Sequence, residues 1–182
     1  MAQSFTRHLR NNNKHHFHDA SLVLLARGCP SLQSISVMCS AVMGGGLVTL
    51  ATLCPNLTRL KLAECPISDL GVSSLPPNSL PHLRILELPE LDELPALERF
   101  YLSPVGFASI FRATPNLKVL RLGKRGGTWV NMFEPTEINN AVVQEVATHL
   151  TGLEALTISG VSRITFVALT ILGRTLVLFI VS

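Results

Sequence analysis

The sequence predicts an α/β solenoid: five or six units, each a strand followed by a helix, with the strands parallel along one side. Three observations predict it. The spacing L-x-x-L-x-L occurs at Leu57, Leu60 and Leu62, and its leading leucine returns as Leu32, Leu57 and Leu83, steps of 25 and 26 residues. Leu60 and Leu62 lie two apart, the period of a strand that buries one face, while Arg59 and Lys61 fall on the other face. Each pattern is followed by a turn and then by an apolar helical run. One strand and one short helix cannot cover their own apolar surfaces, whereas stacked copies can.

At 182 residues the chain fits one such stack. Hydrophobic residues make up 47% and aromatic residues 5%, and the mean hydropathy is +0.39, so the core is a ladder of aliphatic side chains. Fifteen basic against twelve acidic residues leave a net charge of +3, too mild and too scattered to argue for nucleic acid. Met1–Arg10 holds no apolar stretch of the kind a secretory signal needs. Four cysteines without such a signal point to a reducing compartment, the cytoplasm or the nucleus. The apolar run from Ile164 to Ser182 has Arg174 near its middle, and Gly173 divides it into Phe166–Leu172 and Leu176–Val181. That is the helix-then-strand rhythm of one more unit, and it is preferred to a membrane span.

Residues 1–16 are polar, either a frayed terminus or the remnant of an earlier unit, and the repeat domain is expected over residues 17–182. Phe17–Leu22 aligns with Ile67–Val72, and this phase makes Asp19 and Asp69 the expected N-caps of short helices. The first helix is expected to run to about Arg27, with Gly28 ending it through a positive φ. Cys29–Val37 is the first secure strand unit, followed by Gly44–Gly46 and a helix over Leu47–Leu53. Cys54–Leu57 opens the second unit, whose helical run includes Leu70, Val72 and Leu75. Pro76, Pro77 and Pro81 stop that helix and set up an extended approach to Leu83–Leu88. Leu97–Leu102 fits the strand template only 14 residues after Leu83, so it is either an extra strand or part of an insertion. A helix over Val105–Ala113 leads to Leu117, Leu120 and Leu122. Gly123–Asn140 is a second insertion and holds the single tryptophan, Trp129. A helix over Ala141–Leu150, a strand at Leu153, Leu156 and Ile158, a helix over Ile164–Leu172 and a strand at Leu176, Phe179 and Val181 complete the series. The bare aliphatic end predicts an uncapped stack: a fragment, a truncated product or a piece that leans on another surface.

Cys54, Pro55, Leu57, Leu60, Leu62, Cys65, Ile67 and Asp69 follow C-P-x-L-x-x-L-x-L-x-x-C and then I-T-D. Cys29, Pro30, Leu32, Ile35, Val37 and Cys39 repeat the pattern, and Thr114, Pro115, Leu117, Leu120 and Leu122 repeat it with Thr in the first Cys place. Over Phe17–Ser182 these units resemble the cysteine-containing leucine-rich repeats of the F-box/leucine-rich-repeat family and related ribonuclease-inhibitor-like proteins. The resemblance implies a right-handed horseshoe with parallel strands on the concave side and helices on the convex side. It also implies a non-catalytic module like the substrate-recognition repeats of an F-box receptor in an SCF ubiquitin ligase. No F-box-like segment is visible, so a ubiquitin-ligase adaptor is implied only if an F-box lies outside these residues. The alternative is a stand-alone scaffold or inhibitor of ribonuclease-inhibitor type without a ubiquitin link.

Chemistry is sparse. Cys29 and Cys54 share a phase, as do Cys39 and Cys65, and buried thiols bonded to backbone are the expected role; the short C-x-x-C pairs of a zinc site are missing. His15, His16 and His18 sit in a polar stretch that reads as solvated rather than metal-binding. Gly123–Gly127 is basic and glycine-rich but lacks the G-K-[ST] order of a phosphate loop. No catalytic constellation assembles, so neither an enzyme nor a cofactor is expected. Counting by phase, Ser34, Ser36, Met38, Ile85, Val119, Ala155 and Thr157 face the concave side together with the decorated positions Arg59, Lys61, Glu87, Arg99, Tyr101 and Arg121. Arg and Tyr are frequent interface anchors. These six are the candidate partner-binding residues, and an acidic protein segment is the partner class they favour.

Overall fold

The computed structural model describes residues 5–10, 17–38, 42–63, 65–90, 102–124, 138–159, 164–173 and 178–181. Strands and helices alternate: β1 (Phe5–Arg10), α1 (Asp19–Gly28), β2 (Leu32–Met38), α2 (Gly45–Leu53), β3 (Arg59–Ala63), α3 (Asp69–Val72), β4 (Ile85–Glu90), α4 (Pro104–Ala113), β5 (Val119–Lys124), α5 (Asn140–His149), β6 (Ala155–Ser159), α6 (Phe166–Leu172) and β7 (Leu178–Val181). The seven strands form one sheet in chain order, and every neighbouring pair is parallel. Consecutive helices pack on one another from α1 to α6. Among the described residues no helix is long and apolar enough to cross a membrane. The run that begins at Ile164 divides into α6 and β7.

The leucine spacing explains this arrangement. Leu32, Leu57, Leu83, Leu117 and Leu153 are all buried, and each leading N–H bonds the carbonyl three residues back, as in Leu57 to Cys54 at 3.1 Å and Leu153 to Leu150 at 3.0 Å. That turn delivers each chain into its strand in the same register. Ile35, Leu60, Leu86, Leu120 and Leu156 then stand side by side, as do Val37 with Leu62 and Leu88 with Leu122 and Ile158. All of them are buried in one core with Leu22, Leu50, Val72, Phe111, Val146 and Leu172 from the helices. Burying an aliphatic side chain of this size stabilises by about 1.5–3 kcal/mol, so the repeated rows supply most of the driving force for stacking.

Residues 5–10, within the polar first sixteen, form a strand paired in parallel with β2. Three sequence expectations change. Gly28 belongs to α1, whose C-cap is Cys29 at φ −137°; Gly28 does not take up a positive φ, which among the described glycines occurs at Gly44 and Gly123. Asp19 and Asp69 are the first residues of their helices, behind the N-caps His18 and Ser68. Their carboxylates serve the next unit instead. Asp19 accepts from the N–H groups of Met43, Gly44 and Gly46 at the start of α2 (3.2, 3.3 and 2.9 Å). Asp69 takes the N–H and hydroxyl of Ser103, the N-cap of α4. Asn140 does the same for Thr165 before α6, at 2.9 Å in both directions. A helix N-terminus presents unpaired N–H groups, and an anionic or polar acceptor from the unit behind satisfies them. Lastly, α3 is only four residues long: Leu70 is 85% exposed, while Leu75 is buried. The proline-rich link that follows is held by α4, through Asn78 N–H to the Arg112 carbonyl and Leu80 N–H to the Ala113 carbonyl, both 2.9 Å. A Cβ at Gly71 would stand 2.0 Å from the Met43 carbonyl oxygen, so the close approach of α3 to the previous unit depends on that glycine.

Candidate functional site: the open face of the sheet

The leucine rows turn one face of the sheet toward the helices, and the intervening positions form the opposite, open face. Register places Ser34, Arg59, Ile85, Val119 and Ala155 in one row across it. A second row, two residues further along each strand, holds Ser36, Lys61, Glu87, Arg121 and Thr157. Four of the six sequence-predicted residues, Arg59, Lys61, Glu87 and Arg121, therefore come together on β3, β4 and β5. Arg99 and Tyr101 lie outside the described residues, as do residues 91–98 and most of the Gly123–Asn140 segment.

Glu87 is the centre of this group. Its side chain is only 8% exposed, yet it carries a carboxylate. Removing such a group from water is unfavourable unless it is paired and hydrogen-bonded. Oε1 accepts from Arg59 Nη2 at 2.6 Å and from Arg121 Nη1 at 3.0 Å, and Oε2 lies 3.7 Å from Lys61 Nζ. Neighbouring strands are about 4.8 Å apart, which is why side chains from β3 and β5 can both reach a carboxylate on β4. Among the described residues, three cations around one carboxylate leave the cluster with a charge of +2. Arg59 and Arg121 keep 48% and 51% of their side-chain surface exposed, so their guanidinium groups are held by Glu87 from beneath while facing solvent.

Glu87 is therefore the buried member of the group, with Arg59, Lys61 and Arg121 arranged around its carboxylate. The sequence held a signal for this, since Glu87 is the acid between Lys61 and Arg121 at the same distance from each leading leucine. Ile85 and Val119 sit beside the charged row on the same face, each half-buried.

The thiols sit elsewhere. Cys54 Sγ donates to the Cys29 carbonyl at 3.5 Å, and burial pushes its pKa above the ordinary thiol value, with the nearby Cys29 adding to the shift. Thr114, in the equivalent place, donates its hydroxyl to the Ile110 carbonyl at 3.0 Å. Cys65 Sγ donates to Ala63 O at 3.4 Å, and Cys39 lies outside the described residues. His18 is exposed at the start of α1, and His15 and His16 lie outside the described residues. No group of three or more His, Cys, Asp or Glu among the described residues could hold a metal ion.

No family model matches this chain, and no curated protein matches it.

Proposed function

We propose that the chain is a leucine-rich-repeat solenoid of right-handed horseshoe form, acting as a non-catalytic protein-interaction module. In this reading it resembles the substrate-recognition repeats of an F-box receptor, with strands on the concave side and a partner seated against them. The observation that carries the reading is the convergence of Arg59, Lys61 and Arg121 on buried Glu87 at the open face. A solvated strand surface has no need to bury a carboxylate and gather three cations on it. Preformed, half-exposed arginines are what an interface anchor requires, because less side-chain freedom is then lost on binding. The +2 charge of the cluster favours an acidic partner segment.

The test is capture of partners from a cell extract by the tagged chain, read by mass spectrometry, against the double variant Arg59→Ala/Arg121→Ala. The reading expects specific partners that the variant loses while its circular dichroism stays that of a folded chain. Among the described residues Glu87 then keeps Lys61 alone, so the melting temperature is expected to fall by several degrees without loss of the fold. No specific partner, or capture by both forms alike, would remove the open face as the binding surface. Recovery of a cullin-ligase adaptor along with the partner is the outcome that attaches the module to ubiquitin transfer.

A further inference from the structure

Resting on that interaction reading, the two rows of the open face also define which segment would fit. We infer that the face binds an extended peptide in which one acidic side chain bridges Arg59 and Arg121 while an aliphatic side chain two residues away lies on Ile85 and Val119.

The acidic position follows from the cluster. The Arg59 and Arg121 nitrogens bond the same Glu87 oxygen, at 2.6 Å and 3.0 Å, so the two guanidinium heads are gathered at one point. Each guanidinium carries five N–H donors in a planar fork and spends one on Glu87, and about half of each side chain is exposed. A carboxylate has two oxygens and can accept from both forks at once. Glu87 itself is 8% exposed and held by three cations, so it stays in place as the counter-charge beneath while the incoming carboxylate meets the +2 that remains.

The aliphatic position follows from the register. Ile85 and Val119 are direct partners across β4 and β5, and Glu87 and Arg121 are the next pair on the same face. Strands rise about 3.3 Å per residue, so the apolar pair and the charged pair are about 6.6 Å apart along the strand direction. An extended segment lying along the strands presents side chains i and i+2 to one side at that same spacing. A helix would offer i, i+3 or i, i+4 instead. The flanking positions argue against a long polyanion. Among the described residues of these two rows on β2–β6, Ser34 and Ser36 on one side and Ala155 and Thr157 on the other carry no charge, so the positive charge there is gathered at one point rather than in a track.

The experiment is selection of the full chain against a displayed library of random decapeptides, followed by fluorescence anisotropy on the enriched sequences. The expected consensus has Asp or Glu two residues from Leu, Ile or Val. Replacing that acid by its amide is expected to weaken binding at least tenfold, and Arg121→Lys, which keeps the charge and loses the fork, to weaken it severalfold. A peptide with the same residues spaced i, i+4 is expected to bind as poorly as the amide. A consensus without an acid, an acid at no fixed distance from the aliphatic residue, an i, i+4 optimum, or no enrichment at all would overturn the inference. If the chain still captures a protein in an Arg59- and Arg121-dependent way while showing one of these results, only the extended ligand is wrong. If that capture fails too, the interaction reading falls with it.

Discussion

Replacing Glu87 by Gln tests whether one buried charge organises the open face. The substitution keeps volume and shape, and the amide oxygen can still accept from one guanidinium, so little packing is lost. The local charge rises from +2 to +3. A hydrogen bond to a charged group is worth about 1.5–3 kcal/mol when well shielded. Arg59 and Arg121 are 48% and 51% exposed and can swing into water, so their share falls to about 0.5–1 kcal/mol each. Lys61 is 19% exposed and its Nζ is 3.7 Å from the carboxylate, which adds a similar amount. The expected loss is about 2 kcal/mol, or about 4–8 °C in Tm for a chain of this size. Urea unfolding measures it, provided the two forms share an m value. Salt then separates charge from packing. At 0.1 M the screening length is about 10 Å and at 1 M about 3 Å, so the gap between parent and variant is expected to close by about half at the higher salt. Adding Arg121→Ala to the variant is expected to restore part of the lost stability, since it removes a cation without a counter-charge. A gap that is the same at both salt concentrations, or no gap at all, would refute the claim that Glu87 holds the arginines electrostatically.

Two further outcomes follow from the structure. Asp19→Ala removes the acceptor for three N–H groups at the start of α2, and by comparison with helix caps the cost is about 1–2 kcal/mol. Amide exchange is expected to speed up at Gly44 and Gly46 before it does elsewhere, while Asp19→Asn, whose single amide oxygen can still accept from Gly44 and Gly46 but whose NH2 cannot accept from Met43, falls between Ala and the parent; a uniform rise across the chain would contradict it. Cys54 gives a pH dependence. Its folded-state pKa is raised by burial and by Cys29, so the unfolded chain ionises first: stability is level below the ordinary thiol pKa and falls as pH climbs above it. Cys54→Thr, which copies Thr114, is expected to flatten that alkaline decline in urea midpoints between about pH 7 and about pH 10, and equal slopes for the two forms would count against a buried, protonated thiol.

The legible parts of this chain share a property: their signals are local. Leu57, Leu60 and Leu62 announce a half-buried strand within six residues, and Leu32, Leu57, Leu83, Leu117 and Leu153 are all buried ahead of strands that align in register. Counting from those leucines also locates the open face, since Lys61, Glu87 and Arg121 each stand four positions after Leu57, Leu83 and Leu117, and register aligns the three. What the sequence hid depends on groups far apart in the chain. Asp19 looks like an N-cap from its neighbours, but its acceptors are used 24 to 27 residues later. Leu70, Val72 and Leu75 look like one helical run, but α3 stops at Val72 and the link that follows is held by the carbonyls of Arg112 and Ala113. Glu87 looks like one contact among several because a row can be counted from the sequence while the convergence of long side chains within it cannot.

That division has a physical consequence for function. The aliphatic positions are fixed by the need to stack, so they say how the units are spaced and nothing about a partner. The positions between them feel little constraint from the core, and the proposed binding preference rests on them. On an unconstrained face a carboxylate normally points to water. A carboxylate that is instead buried under three cations is the observation on which the proposed binding surface rests, and it also ties β3, β4 and β5 to one another.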